Sequence, residues 1–176
     1  MDASGILESL LNGPVVQLSA LPRAHGVYAL IDHTGVNRYI GKAVKTDFNN
    51  RINHRHTTGS EANSHKFSHT YSTGRMWRAK DDKAPAAKMV KEFRTIFIRH
   101  YCRARFVELD DRIENISHME ASVIALAPES AIDWNARRSH RCDEPVQLVD
   151  DLLLKLSAND KLCAAMAHQI ALFQEL

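Results

Sequence analysis

The apolar positions of the chain switch between two periods. Residues Ser4 to Leu11 carry Ile6, Leu7, Leu10 and Leu11 at helical spacing, with Ser4 as candidate N-cap and Asn12-Gly13-Pro14 as the stop. Gly26 to Asp32 then turns to strand formers, His33-Thr34-Gly35 reads as a turn, and Asn37 to Ala43 is a second strand, so the pair predicts a hairpin. Asp47 to His56 reads as a short polar helix. Residues 57–83 are rich in Ser, Thr, Gly, His and Lys around isolated Phe67, Tyr71 and Trp77, the make-up of a long exposed loop with a few anchors. Met89, Val90, Phe93, Ile96 and Phe97 return to helical spacing, and Arg103 to Leu109 to strand character.

Asp110 and Asp111 suit a helix N-terminus through capping and the macrodipole, and the helix they open runs to about Ala127, where Pro128 ends it. Val146 to Leu156 and Asp160 to Leu176 predict a helical hairpin jointed at Ser157-Ala158-Asn159. This order predicts an α+β fold: a small, mainly antiparallel three-stranded sheet flanked by helices, with added N- and C-terminal helices. Three segments are expected, namely a helical arm at 1–25, a central domain at 26–136 that includes the long loop, and a helical extension at 137–176.

Composition narrows the class. The chain has 176 residues, 44% hydrophobic and 25% charged, which suits one globular domain able to bury a core and excludes disorder. The longest candidate for an uncharged apolar run, Leu162 to Phe173, is 12 residues, well short of the roughly 20 that a membrane span needs. No membrane association is expected, and the acidic N-terminus lacks a secretory n-region, so a cytoplasmic location is expected. The three cysteines are odd in number and too far apart for a disulfide framework or a paired-thiolate zinc site. The ten histidines, scattered over polar stretches, read as solvated side chains.

A net charge of +2 conceals a segregation. Arg38 to Arg105 holds 16 Lys/Arg against 5 Asp/Glu, whereas Phe106 to Leu176 holds 6 against 13. A basic block of this size fits a polyanionic partner, nucleic acid first, although the acidic part can also neutralise it within the fold. In the 57–83 loop, Lys66, Arg75, Arg78 and Lys80 with interleaved aromatics suit phosphate contacts and base stacking.

The candidate chemistry lies around the hairpin. Glu120 sits inside the apolar stripe of its helix, formed by Ile113, Ile116, Val123, Ile124 and Ala127. A buried carboxylate costs several kcal/mol unless it is paired or holds a cation, so it reads either as the partner of an arginine from the basic block or as a hard oxygen ligand suited to Mg²⁺. A turn centred between His33 and Thr34 puts Tyr28 opposite Tyr39 on one sheet face. Gly41 leaves that face bare for a close approach, Lys42 follows it, and Arg51 and Arg55 fall four apart on the next helix. Phenols, cations and a carboxylate together are the inventory for hydrolysing a phosphodiester.

Gly26-Val27-Tyr28, ten residues, then Tyr39-Ile40-Gly41 resembles the paired motif of the GIY-YIG nuclease superfamily, with Val for the first Ile. Arg51 resembles the family arginine, Glu120 the metal-binding glutamate, Asn135 the asparagine that often follows it, and Lys42 a lysine of some branches. The resemblance covers about Gly26 to Asn135 and implies a DNA endonuclease that uses one Mg²⁺ or Mn²⁺ ion on Glu120, with Arg51 on the phosphate, Tyr28 activating water and Tyr39 positioning it. The family commonly has His or Tyr four residues after the arginine; here that position is Arg55, flanked by His54 and His56, and His54 is the favoured substitute. Gly41, Arg55, Asn135 and Arg137 are expected on the substrate side, with Arg137, Arg138 and Arg141 among the groups reading sequence. The setting implied is restriction, mobile-element or phage-related, and the C-terminal hairpin is a candidate homodimer surface. Two other readings stand beside it: an inactive nucleic-acid-binding module of the same fold, and an RNA-directed nuclease.

Overall fold

The computed structural model describes residues 1–79, 82–110, 112–136 and 141–174. In chain order its main elements are α1 (Ala3–Asn12), β1 (Val16–Gln17), β2 (Gly26–Ile31), β3 (Asn37–Ala43), a π-helical segment (Asn49–His56), α2 (Lys66–Thr70), α3 (Pro85–Tyr101), β4 (Arg103–Glu108), α4 (Ile113–Leu126), α5 (Val146–Lys155) and α6 (Asp160–Gln174). In place of one domain there are two compact units, Met1–Arg55 with Tyr101–Ser139, and His56–His100 with His140–Leu176. Each gathers apolar residues from two separated stretches of sequence, which a reading along the chain does not reveal.

The first unit is an antiparallel sheet in the order β1-β4-β2-β3. The fourth strand, β1, was not expected; at two residues it is too short to carry a period. Strand alternation puts Val27 and Ala29 of β2, with Ile40 of β3, on one face, where they form a core with Ile6 and Leu10 of α1 and Ile116 and Val123 of α4. The N-terminal helix is thus part of this core. Its cap is Asp2 rather than Ser4, accepting the Gly5 N–H at 2.9 Å. On the opposite face Tyr28 meets Phe48 edge-on at 6.3 Å, and Phe48 meets Phe106 at 5.1 Å. Gly26 has φ +145°, and a Cβ there would lie 2.1 Å from the Val107 carbonyl oxygen, so only glycine fits.

The hairpin register differs from the expected one by two residues: Tyr28 pairs with Gly41, and Leu30 with Tyr39. The cause is the turn. Asp32 accepts the Thr34 and Val36 N–H groups on Oδ1 at 2.8 and 3.1 Å, and Gly35 takes φ +84°, which sets the reversal one residue later. A slip of two preserves facing, so both phenols still share a side.

The second unit corrects the reading of 57–83 as an exposed loop. It contains α2, and Phe67, Tyr71, Met76 and Trp77 are buried. Tyr71 stacks on Phe97 of α3 at 5.5 Å, and Trp77 on Phe173 of α6 at 5.2 Å. The basic residues expected to face nucleic acid are engaged within the unit. Arg75 binds Glu144 and Asp150 at 2.5 and 2.6 Å, and Arg78 forks onto Glu61 at 2.7 and 3.0 Å. Lys66 Nζ donates to Asn63 at 3.1 Å, and Lys80 lies outside the described residues. The C-terminal helices form the expected hairpin, jointed at Ser157 with φ +47°. Asp111, expected to help open α4, also lies outside the described residues, and the helix is entered through Arg112.

Candidate active site

β3 is the edge strand of the first unit, so groups on its two faces can meet around that edge. Lys42, register partner of Val27, belongs to the α4 face, and Tyr39 to the opposite one. Both line an open hollow of about 260 Å³, together with Lys45, Arg51, Arg55 and Glu120. Four cations against one carboxylate make it a place for an anion. The π-helical segment supplies Arg51 and Arg55. The two lie four apart along it and both line the hollow.

The two phenols converge as the sequence motif suggests, diagonally across the sheet. Their ring centroids are 6.1 Å apart at 42°, and the hydroxyls are hydrogen-bonded to each other. Gly41 makes this approach feasible. A Cβ there would sit 2.5 Å from Tyr39 Cε1 and 2.8 Å from Tyr28 Oη, both inside van der Waals contact. Arg51 donates from Nε to Tyr28 Oη at 3.4 Å and also bonds Tyr39. Burial pushes Tyr28 well above the ordinary tyrosine pKa, and the neighbouring Tyr39 adds to this; the Arg51 charge opposes them without prevailing. Tyr39 is raised too, again mainly by burial. At neutral pH both phenols are therefore protonated.

Glu120 reaches the hollow from α4 and accepts a charge-assisted hydrogen bond from Lys42 Nζ on Oε2 at 2.5 Å. The carboxylate in an apolar stripe is thus explained by an ion pair, but with a lysine of β3 instead of an arginine. It is also less enclosed than expected: its side chain is 16% exposed and Ile113 of the same stripe 53%. Its Oε1 has no hydrogen-bond or ion partner among the described residues. Nor does any group of three His, Cys, Asp or Glu cluster as a metal cage among them. A single carboxylate with one open oxygen beside an anion hollow fits Mg²⁺ or Mn²⁺, which accept one or two carboxylates and complete their shell with water and phosphate oxygens. Such a donor set does not suit a structural zinc.

The remaining expected residues divide. Asn135 is spent on the sheet edge, where its amide accepts the Ile40 N–H at 3.0 Å and donates to the Ile40 carbonyl at 2.7 Å, replacing the neighbour strand that β3 lacks there. His54 is exposed and does not line the hollow. His56 is buried, its Nδ1 accepting the Lys66 N–H at 3.0 Å. Arg137 and Arg138 lie outside the described residues, and Arg141 is exposed. The sequence reading missed Lys45, which lines the hollow; its only signal was membership of the basic block. No family model, curated protein or solved structure matches this chain.

Proposed function

We propose that the hollow on the β3 edge hydrolyses phosphodiester bonds of DNA with the help of one Mg²⁺ or Mn²⁺ ion, in a GIY-YIG-like first unit. The observation that carries this reading is the convergence of Tyr39, Lys42, Arg51, Arg55 and Glu120 on one cationic hollow, with Tyr28 bonded to Arg51 behind it. The order of these residues along the chain, similar to that of the nuclease superfamily, supports it independently.

Hydrolysis needs an oriented water, a clamp for the phosphate, a sink for the water's proton and relief of charge on the leaving oxygen. Arg51 and Arg55 supply the clamp, Arg51 being held in place by both phenols. Tyr39, on the wall and protonated, donates to a phosphate oxygen or orients the water. Tyr28 is the proton acceptor, active only in the fraction of molecules where its own proton has left. Glu120 is the residue that would hold the ion through Oε1, and the ion supplies Lewis-acid stabilisation of the phosphoryl oxygens.

Supercoiled plasmid, single-stranded DNA and RNA incubated with Mg²⁺, Mn²⁺ or EDTA test the reading. Strand breaks are expected with either metal and not with EDTA, and they should disappear in Tyr28→Phe and Glu120→Ala. Breaks that persist in Glu120→Ala overturn the assignment. Binding without cleavage in any metal leaves a nucleic-acid-binding module, and cleavage of RNA alone leaves an RNA-directed nuclease.

A further inference from the structure

The second unit has a cationic groove of its own. Lys88, Lys91, Thr95 and Arg99 recur along α3, and at about 100° per residue they fall on one helix face. With Glu92 and Ile96 they line an open groove of about 570 Å³. Neither lysine has a carboxylate within ion-pair distance among the described residues, although Lys91 is half-buried. Lys88, Lys91 and Arg99 line this face with the single Glu92 carboxylate, while Arg75, Arg78 and Arg94 of the same unit pair with Glu61, Glu144 and Asp150. The exposed Ile96, 41% accessible, gives the groove an apolar floor.

We infer that this groove binds the phosphodiester backbone of nucleic acid, as a surface additional to the hollow of the first unit. Charge complementarity selects a polyanion. The rise of an α-helix spreads Lys88 to Arg99 over about 16 Å, the length of roughly five phosphates along one strand at about 3.4 Å each. Contacts to phosphate oxygens carry no sequence information, so this grip is independent of sequence. The choice of nucleic acid over other polyanions rests on the function proposed above; the groove's anion chemistry does not.

The test measures binding of a fluorescent DNA duplex to the full chain in EDTA, across a series of salt concentrations. Lys88→Gln/Lys91→Gln should lower the magnitude of the slope of log affinity against log salt by about 1.8, and weaken binding about tenfold or more at moderate salt. The control pair Lys155→Gln/Lys161→Gln, placed on α5 and α6, should leave the slope unchanged, and unfolding curves should match the parent in both. An unchanged slope in Lys88→Gln/Lys91→Gln overturns the inference. So does loss of affinity for a polyglutamate peptide with DNA binding intact, which assigns the groove to an acidic protein. A chain that binds DNA with the expected slope yet cuts nothing with Mg²⁺ sinks the hydrolytic reading and leaves the groove standing.

Discussion

Replacing Glu61 by Gln should destabilise the second unit by about 3 kcal/mol at neutral pH, and the loss should fade in acid. Glu61 is 8% exposed and serves two guanidiniums at once, Arg78 through both oxygens and Arg94 through Oε1. Arg94 is 1% exposed, and its Nη1 donates to Ser72 Oγ and to the Met76 carbonyl at 3.1 and 3.0 Å. Burial alone would raise the Glu61 carboxyl, but Arg78 and Arg94 overcome it and bring it from 4.5 to about 2. At about 1.4 kcal/mol per pKa unit, the ionised form is favoured in the folded state by about 3 kcal/mol. That agrees with the roughly 3–5 kcal/mol lost when one partner of a buried pair is removed. A depressed carboxyl stabilises above its unfolded pKa and ceases to do so as the pH falls through its folded one, so the gap between parent and variant should be full above about pH 4.5 and close towards pH 2. Urea unfolding followed by Trp77 fluorescence reads this unit in a Trp134→Phe background, since Trp77 is buried within it and Trp134 belongs to the other unit. A gap below about 1 kcal/mol near pH 7, or one that stays constant into acid, refutes the reasoning.

Gly41→Ala forces its methyl group against both phenols, so the chain should lose about 1–3 kcal/mol to overpacking and about a hundredfold in strand cleavage through ring displacement, read by thermal unfolding and plasmid nicking on the same preparation. Because burial raises Tyr28, a phenolate acceptor makes cleavage climb with pH without a plateau below the ordinary tyrosine value of about 10; a plateau near neutrality rejects Tyr28 as the acceptor. Asn135→Ala removes two hydrogen bonds to Ile40, which should cost about 2 kcal/mol and speed exchange of the Ile40 amide, while an unchanged exchange rate refutes the edge-holding role.

Where the pattern of apolar positions alone decides an element, the sequence was readable. The α3 and α4 helices, the three longer strands and the terminal helices all sit where period 3.6 or 2 puts them, within two or three residues. The errors lie where a second signal wins. The hairpin register was set by Asp32 and by Gly35 in a left-handed conformation, and a reading centred on His33-Thr34 came out two residues short. The stretch 57–83 has the composition of a solvated loop because its charges are visible while their partners are not. Glu61 meets Arg94 33 residues further along the chain, and Arg75 meets Glu144 across 69.

The same distinction governs the candidate site. Tyr28, Tyr39 and Gly41 could be related from sequence because they belong to one hairpin, and an error of an even number of residues leaves them on a common face. Glu120 stood out for a different reason: a carboxylate among apolar neighbours signals an unmet electrostatic need, whatever its partner. What pattern could not supply was the partner, because Lys42 lies 78 residues away on the opposite sheet face from the phenols, and only the open edge of β3 lets the two faces share a hollow. Nor could it supply the protonation state. Adjacent cations argue for a phenolate when charges are merely counted, but enclosure of Tyr28 outweighs them, and enclosure is a property of the fold. The state of the Tyr28 hydroxyl therefore depends on enclosure, to which the edge-on Phe48 ring and the close approach that Gly41 permits both belong.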